Sequence, residues 1–200
     1  MKRLVGKRVV LEPVTPTNAV TLWRIMQSKD LREFQDVPRY TRDEFERRVA
    51  SRPKAFDTRA TGRFEWLILV AKTRAAIGWV SLRVGDHARG TAEIGYSVAL
   101  DHRGAGYATE ATQLLVDFAF SESDLQQVDA CCVPANVPSR RLLASLGFIE
   151  TRLQRNGAIV RARPVDIVLF EMPRERWMRR RGVYDESANS IEIPASANPK

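Results

Sequence analysis

Tyr96-Ser97-Val98-Ala99-Leu100-Asp101-His102-Arg103-Gly104-Ala105-Gly106-Tyr107-Ala108-Thr109 carries a strand end, the turn Arg-Gly-Ala-Gly and the start of an amphipathic helix. Two glycines let the backbone fold so that successive N–H groups point into one concavity. The helix start adds its own N–H groups and the positive end of its dipole, and Arg103 adds a full charge. Such a turn suits a pyrophosphate. On the glycines alone, a tight strand-to-helix turn with no ligand fits equally well, because Gly-x-Gly is a weak motif. Two better-known phosphate loops do not fit. The Rossmann fingerprint wants a small residue at position 109, which is Thr, and a place in an N-terminal βαβ unit. The P-loop wants Gly-Lys-Ser/Thr, which the chain lacks.

Working outward, Tyr107 to Phe120 sets Ala111, Leu114, Leu115 and Phe118 on one helical face. Gln127 to Val133 reads as a short strand. Pro138 to Leu146 reads as a helix, with Pro138 in its first turn and Gly147 ending it. Phe148 to Arg155 and Ile159 to Phe170 read as a hairpin across Asn156-Gly157. Toward the amino end, Val9 to Val14 is a strand closed by proline, and Thr17 to Ser28 has helical spacing of apolar residues. Thr41-Arg42-Asp43-Glu44 is a capping box opening a helix that runs to about Arg52. Phe64 to Lys72 is a nearly continuous apolar run, so a strand buried on both faces. Ala76 to Arg83 and Thr91 to Leu100 are further strands, with turn chemistry from Gly85 to Gly90 between them. The expectation is an α/β (α+β) fold with a mixed central sheet of about seven strands and about four helices. One domain is expected over residues 1–178. A basic and polar tail over 179–200 has little to bury and is expected to be disordered.

The 200 residues carry 32 Lys and Arg against 24 Asp and Glu, a net charge of +8. A positive surface attracts anions without choosing among phosphates, cofactors, acidic proteins or nucleic acid. No apolar run reaches about 18 residues, so no membrane span is expected. The start is polar and basic with no apolar stretch behind it, so no secretory signal is expected. Cys131 and Cys132 are neighbours on a strand and point to opposite faces. They read as two small buried hydrophobes in a reducing compartment, which makes a cytoplasmic location the default. His87 and His102 lack metal-ligand spacing, and no metal site is expected. Trp66 and Trp79 read as core aromatics.

Several segments agree in order: Ala92 to Tyr96, Arg103 to Ala111, Asn136 to Leu143, and Leu146-Gly147-Phe148. Together they closely resemble the GNAT superfamily of acyl-CoA-dependent N-acetyltransferases. The opening Leu4 to Pro13 is similar to its RimJ/RimL-type branch of ribosomal-protein-alanine acetyltransferases. The resemblance spans residues 4 to about 178 and implies a mostly antiparallel GNAT sheet and acetyl-CoA as co-substrate. It implies that Arg103, Gly104, Ala105, Gly106, Tyr107, Ala108 and Thr109 hold the pyrophosphate. Val98 would lie along the pantetheine, and Asn136 would hydrogen-bond that arm. Where the family carries Gln or Arg three residues before the first glycine, this chain has Asp101.

Direct attack of an amine on a thioester needs a base, an oxyanion donor and an acid for the departing thiolate. Strand alternation puts Ala92, Ile94, Tyr96 and Val98 on one face and Glu93, Gly95, Ser97 and Ala99 on the other. The second face is small and polar and leaves room for a substrate beside Glu93. Glu93 reads either as the general base, through water, or as a surface or salt-bridged carboxylate. Many family members carry a Tyr acid seven residues after the Asn, where this chain has Leu143. Ser139 is the replacement candidate, and its alternative is a plain helix-capping role. The acceptor expected from the resemblance and the +8 charge is a protein or peptide α-amine near acidic residues. A small amine such as a polyamine or an aminoglycoside is the alternative. A non-catalytic acyl-CoA-binding protein is a remoter one. A nucleic-acid-binding protein is equally remote, since no recognition motif for nucleic acid is present. Monomer and homodimer are both compatible.

Overall fold

The computed structural model describes residues 1–57, 61–85 and 90–182, the side chain of Arg32 excepted. The apolar run near residue 64 becomes β3 (Gly62–Val70), buried from Phe64 to Leu69. It pairs antiparallel with β2 (Val9–Pro13) on one side and β4 (Ala76–Val84) on the other. Phe64, Trp66 and Ile68 face a core shared with α3 (Tyr107–Ser121). Leu67 and Leu69 face a second core shared with α1 (Ala19–Met26) and α2 (Arg42–Ala50). Cover on both faces explains the missing alternation. Trp66 and Trp79 are both buried, as the sequence reading expects. One charge sits inside the run: Glu65 is 2% exposed and is held by Arg52 and Arg63.

The sheet has eight strands in the order β1-β2-β3-β4-β5-β6-β8-β7. Here β1 is Leu4–Val5, β5 Thr91–Val98, β6 Gln127–Cys132, β7 Ile149–Val160 and β8 Arg163–Pro173. The pair β5/β6, joined through α3, is parallel, and every other pair is antiparallel. The fold class is as expected, with one strand and one helix more than the sequence pattern shows. The extra strand is the two-residue β1, too short to display a period.

The carboxyl half departs from the sequence reading at the hairpin. Asn156-Gly157 is not its turn. The strand runs on to Val160, and the loop is Arg161-Ala162, with φ of 52° and 60° and Val160 paired to Arg163. A type I′ two-residue loop needs positive φ at both central residues, whichever side chains fill it. Asn156, with φ of 50°, lies instead where the register shifts between Gln154 and Ala158. Its tolerance of left-handed backbone serves a bulge.

The basic stretch after β8 forms α5 (Arg174–Arg180), which follows α4 (Val137–Leu146) in chain order. The Arg180 guanidinium donates to Ser145 O at 3.1 Å, and Arg181 pairs with Asp117 at 3.3 Å. The tail boundary expected at 178 therefore falls inside a packed helix. Residues 183–200 of the tail, and 86–89 of the expected turn, lie outside the described residues.

The capping box forms as the sequence predicts. Thr41 Oγ1 accepts from Glu44 N at 3.3 Å, and Glu44 Oε2 accepts from Thr41 N at 2.8 Å. Thr41→Ala should cost about 1 kcal/mol of stability, the usual value of a helix cap. Urea unfolding of the two proteins measures it.

Candidate active site

Between β5 and β6 the sheet opens. The strands pair only at Thr91↔Gln127, Ala92↔Val128 and Glu93↔Asp129. From Ile94 onward β5 has no partner on that side, while β6 stays paired with β8 to Cys132. A cavity of about 930 Å³ runs through the gap. On one side of the sheet it is lined by Gly104, Gly106, Tyr107, Ala108 and Thr109. On the other it is lined by Glu93, Arg83, Arg63 and the loop residues Phe34 and Gln35.

The glycine turn lies where the sequence reading puts it. Gly104 and Gly106 have φ of +78° and +79°, a left-handed backbone that residues with a Cβ rarely adopt. Gly106 caps α3 without any side-chain hydrogen bond. The first amides of α3 are left for an anion, as an uncapped helix start requires. This, with the open gap, is the observation that fits the pyrophosphate of a CoA molecule. Arg103 lines the same cavity. Arg103 is engaged within the protein: its Nε donates to Val98 O at 3.0 Å, and its Nη2 lies 3.3–3.4 Å from Asp30 O and Oδ2. Ala105 does not line the cavity, and its carbonyl accepts from Arg8 Nη1 at 2.8 Å. Burial alone would raise the Asp30 carboxyl. Hydrogen bonds from Ser28 and the Leu100 amide, with the charge of Arg103, outweigh it and hold the group below its usual range.

Val98 and Asn136 line the same cavity. Asn136 Oδ1 accepts from Ser139 N at 3.2 Å, so Asn136 is the cap of α4. The capping alternative for Ser139 is thereby corrected. The Ser139 hydroxyl instead lies 2.6 Å from the hydroxyl of Tyr96, across the gap. Leu143, in the family's Tyr position, is buried in the core.

Glu93 has the ion pair of its second reading, with Arg83 at 2.5 Å, and a place at the cavity. Register extends this pair into a row. Arg63↔Arg83, Arg83↔Glu93, Glu93↔Asp129 and Asp129↔Glu171 are successive cross-strand partners. Directly paired residues share a face, so two cations and three carboxylates cross the sheet in line. Burial raises the Asp129 carboxyl, and Glu171 and Glu93 add to the rise. Cys131 is exposed on this face, which corrects the expectation that both thiols are buried. Cys132 is buried, and both are free.

Three residues escaped the sequence reading. The sequence places Tyr96 only on the face of Ala92, Ile94 and Val98, because nothing local marks where a strand loses its neighbour. Arg141, exposed on α4, lines the cavity on the turn side. Arg83 was legible only as a strand residue, though hairpin pairing of β4 with β5 could have set it opposite Glu93. Among the described residues, no group of three or more His, Cys, Asp and Glu is placed to hold a metal. No described helix is long and apolar enough to cross a membrane.

The gap in the parallel pair and the glycine turn at the start of α3 thus line one cavity. Residues 8–149 match the acetyltransferase (GNAT) domain family, and the chain belongs to it. It is similar to the putative ribosomal N-acetyltransferase YdaF of Bacillus subtilis, 33% identical over 100 residues, covering 50% of this chain and 55% of that one. Among solved structures it is similar to the ribosomal-protein-S5-alanine acetyltransferase of Vibrio fischeri, with TM-score 0.76 and 16% identity, covering 88% and 99% of the two chains. It is also similar to a chimera of the spermidine N-acetyltransferase SpeG from Vibrio cholerae, with TM-score 0.75 and 17% identity, covering 87% and 100%. The family match bears out the resemblance to the GNAT superfamily, and the two solved structures share its fold. The chain spans about half to three-fifths of the length of the first curated relatives it matches.

Proposed function

We propose that this protein is an acetyl-CoA-dependent N-acetyltransferase whose acceptor is the α-amine of a peptide or protein with acidic residues nearby. The observation that carries the reading is the gap beyond Glu93, which joins the uncapped start of α3 to the charged row on the other sheet face in one cavity. Acetyl-CoA would supply the acetyl thioester. The amides of the Gly104–Thr109 segment would hold its pyrophosphate, with Val98 and the free amide nitrogen of Asn136 along the pantetheine. Glu93 would take the proton lost by the attacking nitrogen, through water, and the Ser139 hydroxyl would face the sulfur as its bond to carbon breaks. Free thiols suit a reducing, cytoplasmic setting.

Two arguments favour the α-amine. At pH 7.4 about 0.1% of a Lys ε-amine is free base, against roughly 20–30% of an α-amine. The easier nucleophile suits a site with a Leu in place of the family's Tyr acid. Arg63 and Arg83, beside Glu93 in the row, would receive carboxylates of the acceptor, since complementary charge sets register and encounter rate. The same row supports a second reading, a polyamine, because Glu93, Asp129 and Glu171 would attract a second ammonium. A competition assay decides between them. It contains an acidic N-terminal peptide, its α-blocked Lys-bearing counterpart, spermidine and an aminoglycoside. The free α-amine should win on kcat/KM, with an advantage that shrinks as salt rises. Best use of spermidine or the aminoglycoside would replace this reading with the second.

A further inference from the structure

The Ser139 hydroxyl carries one proton, and its use depends on which way it turns. One partner stands close. Tyr96 OH lies 2.6 Å from Ser139 Oγ and 3.4 Å from the backbone oxygen of Ser139. If Ser139 donated to Tyr96, the phenol proton would be left with the carbonyl at 3.4 Å, long for an O–H···O bond. If Tyr96 donates to Ser139, the short contact is satisfied and the serine proton is free to point into the cavity that both residues line. Burying a hydroxyl proton without an acceptor is costly, so the second arrangement is favoured.

We propose that Tyr96 is a positioning residue of the transfer reaction: its phenol donates to Ser139 Oγ and turns the Ser139 proton toward the sulfur of the acyl donor. The proposal rests on the reading of Ser139 given above. Burial raises the Tyr96 phenol well above its ordinary value, and the bond to Ser139 offsets only part of this. The phenol therefore stays a proton donor across the working range. It also does not surrender its proton to a thiolate, since ordinary thiols sit near 8.5 and the transfer would run uphill. As the C–N bond forms and the C–S bond breaks, the electron pair goes to sulfur. The amine proton leaves on the Glu93 side, and the Ser139 O–H, held by Tyr96, stabilises the departing thiolate.

The experiment compares the parent, Tyr96→Phe, Ser139→Ala, Ser139→Thr and the Tyr96→Phe/Ser139→Ala double variant. Tyr96→Phe should lower kcat about tenfold with KM for acetyl-CoA and melting temperature unchanged. The double variant should be no slower than Ser139→Ala alone, and Ser139→Thr should recover most of the rate. The readout independent of turnover is calorimetric affinity for CoA against desulfo-CoA. The parent should prefer CoA by roughly two- to tenfold, the scale of one hydrogen bond, and Tyr96→Phe should lose that preference as fully as Ser139→Ala. A fast Tyr96→Phe beside a slow Ser139→Ala overturns the positioning role and leaves Ser139 standing. A Ser139→Ala variant at parental rate removes the Ser139 reading, and the proposal with it. Multiplying effects in the double variant would mean that Tyr96 acts independently of Ser139, which also overturns it. Should Tyr96→Phe melt early, failure of Ser139→Thr to recover the rate would by itself refute the shared hydroxyl path.

Discussion

Gly104→Glu should lower CoA affinity about a hundredfold or more while the protein stays folded, because lost charge-assisted hydrogen bonds cost roughly 1.5–3 kcal/mol each. The fold should survive for two reasons. No atom lies within 4 Å of a Cβ added at Gly104. The φ of +78° imposes a strain of about 1–2 kcal/mol on any larger residue, at an exposed turn. A carboxylate near a helix start also favours the helix itself. What it opposes is a second anion in the same place. Gly104→Ala separates the two effects, since it carries the strain without the charge and should keep most of the affinity. Calorimetry with CoA measures both variants. Unchanged affinity in the Glu variant would remove the pyrophosphate from this turn.

Glu93→Gln should lower kcat by about 10²- to 10⁴-fold, the range for a general base, with CoA affinity retained. The substitution keeps the shape, removes the charge and leaves one oxygen to accept from Arg83. Its structural cost is small. The Glu93 side chain is 44% exposed and that of Arg83 61%, and exposed pairs contribute about 0–1 kcal/mol. A loss of melting temperature in step with the loss of rate would point to the ion pair rather than to catalysis. A variant as fast as the parent would return Glu93 to a salt-bridge role. Asp129, its neighbour across the parallel pair and already raised by burial, would be the next carboxylate to substitute.

Much of the fold was legible because its signals are local. Apolar spacing, the capping box at Thr41 and the glycine ending α4 each act within a turn or two of chain, and each appears where the residues place it. The hairpin misled for the opposite reason. Asn-Gly is suited to left-handed backbone wherever it lies, and only the pairing partners decide between a turn and a bulge. Here the eight-residue stretch Gln154 to Arg161 crosses a register shift before it turns.

The site divides in the same way. The glycine turn, Glu93 and Ser139 could be named from residues alone, since their chemistry is carried by side-chain type and by position on a strand or helix. The partner of each could not. Arg103 meets Asp30 across 73 residues, Arg8 reaches Ala105 across 97, and Tyr96 meets Ser139 across 43. The sequence by itself determined the elements, the glycine turn and the family. Only the tertiary structure decided where β5 leaves β6. Strand separation depends on which backbone groups find partners across distant segments, and no period within either strand records it. Beyond that separation the Tyr96 hydroxyl faces Ser139.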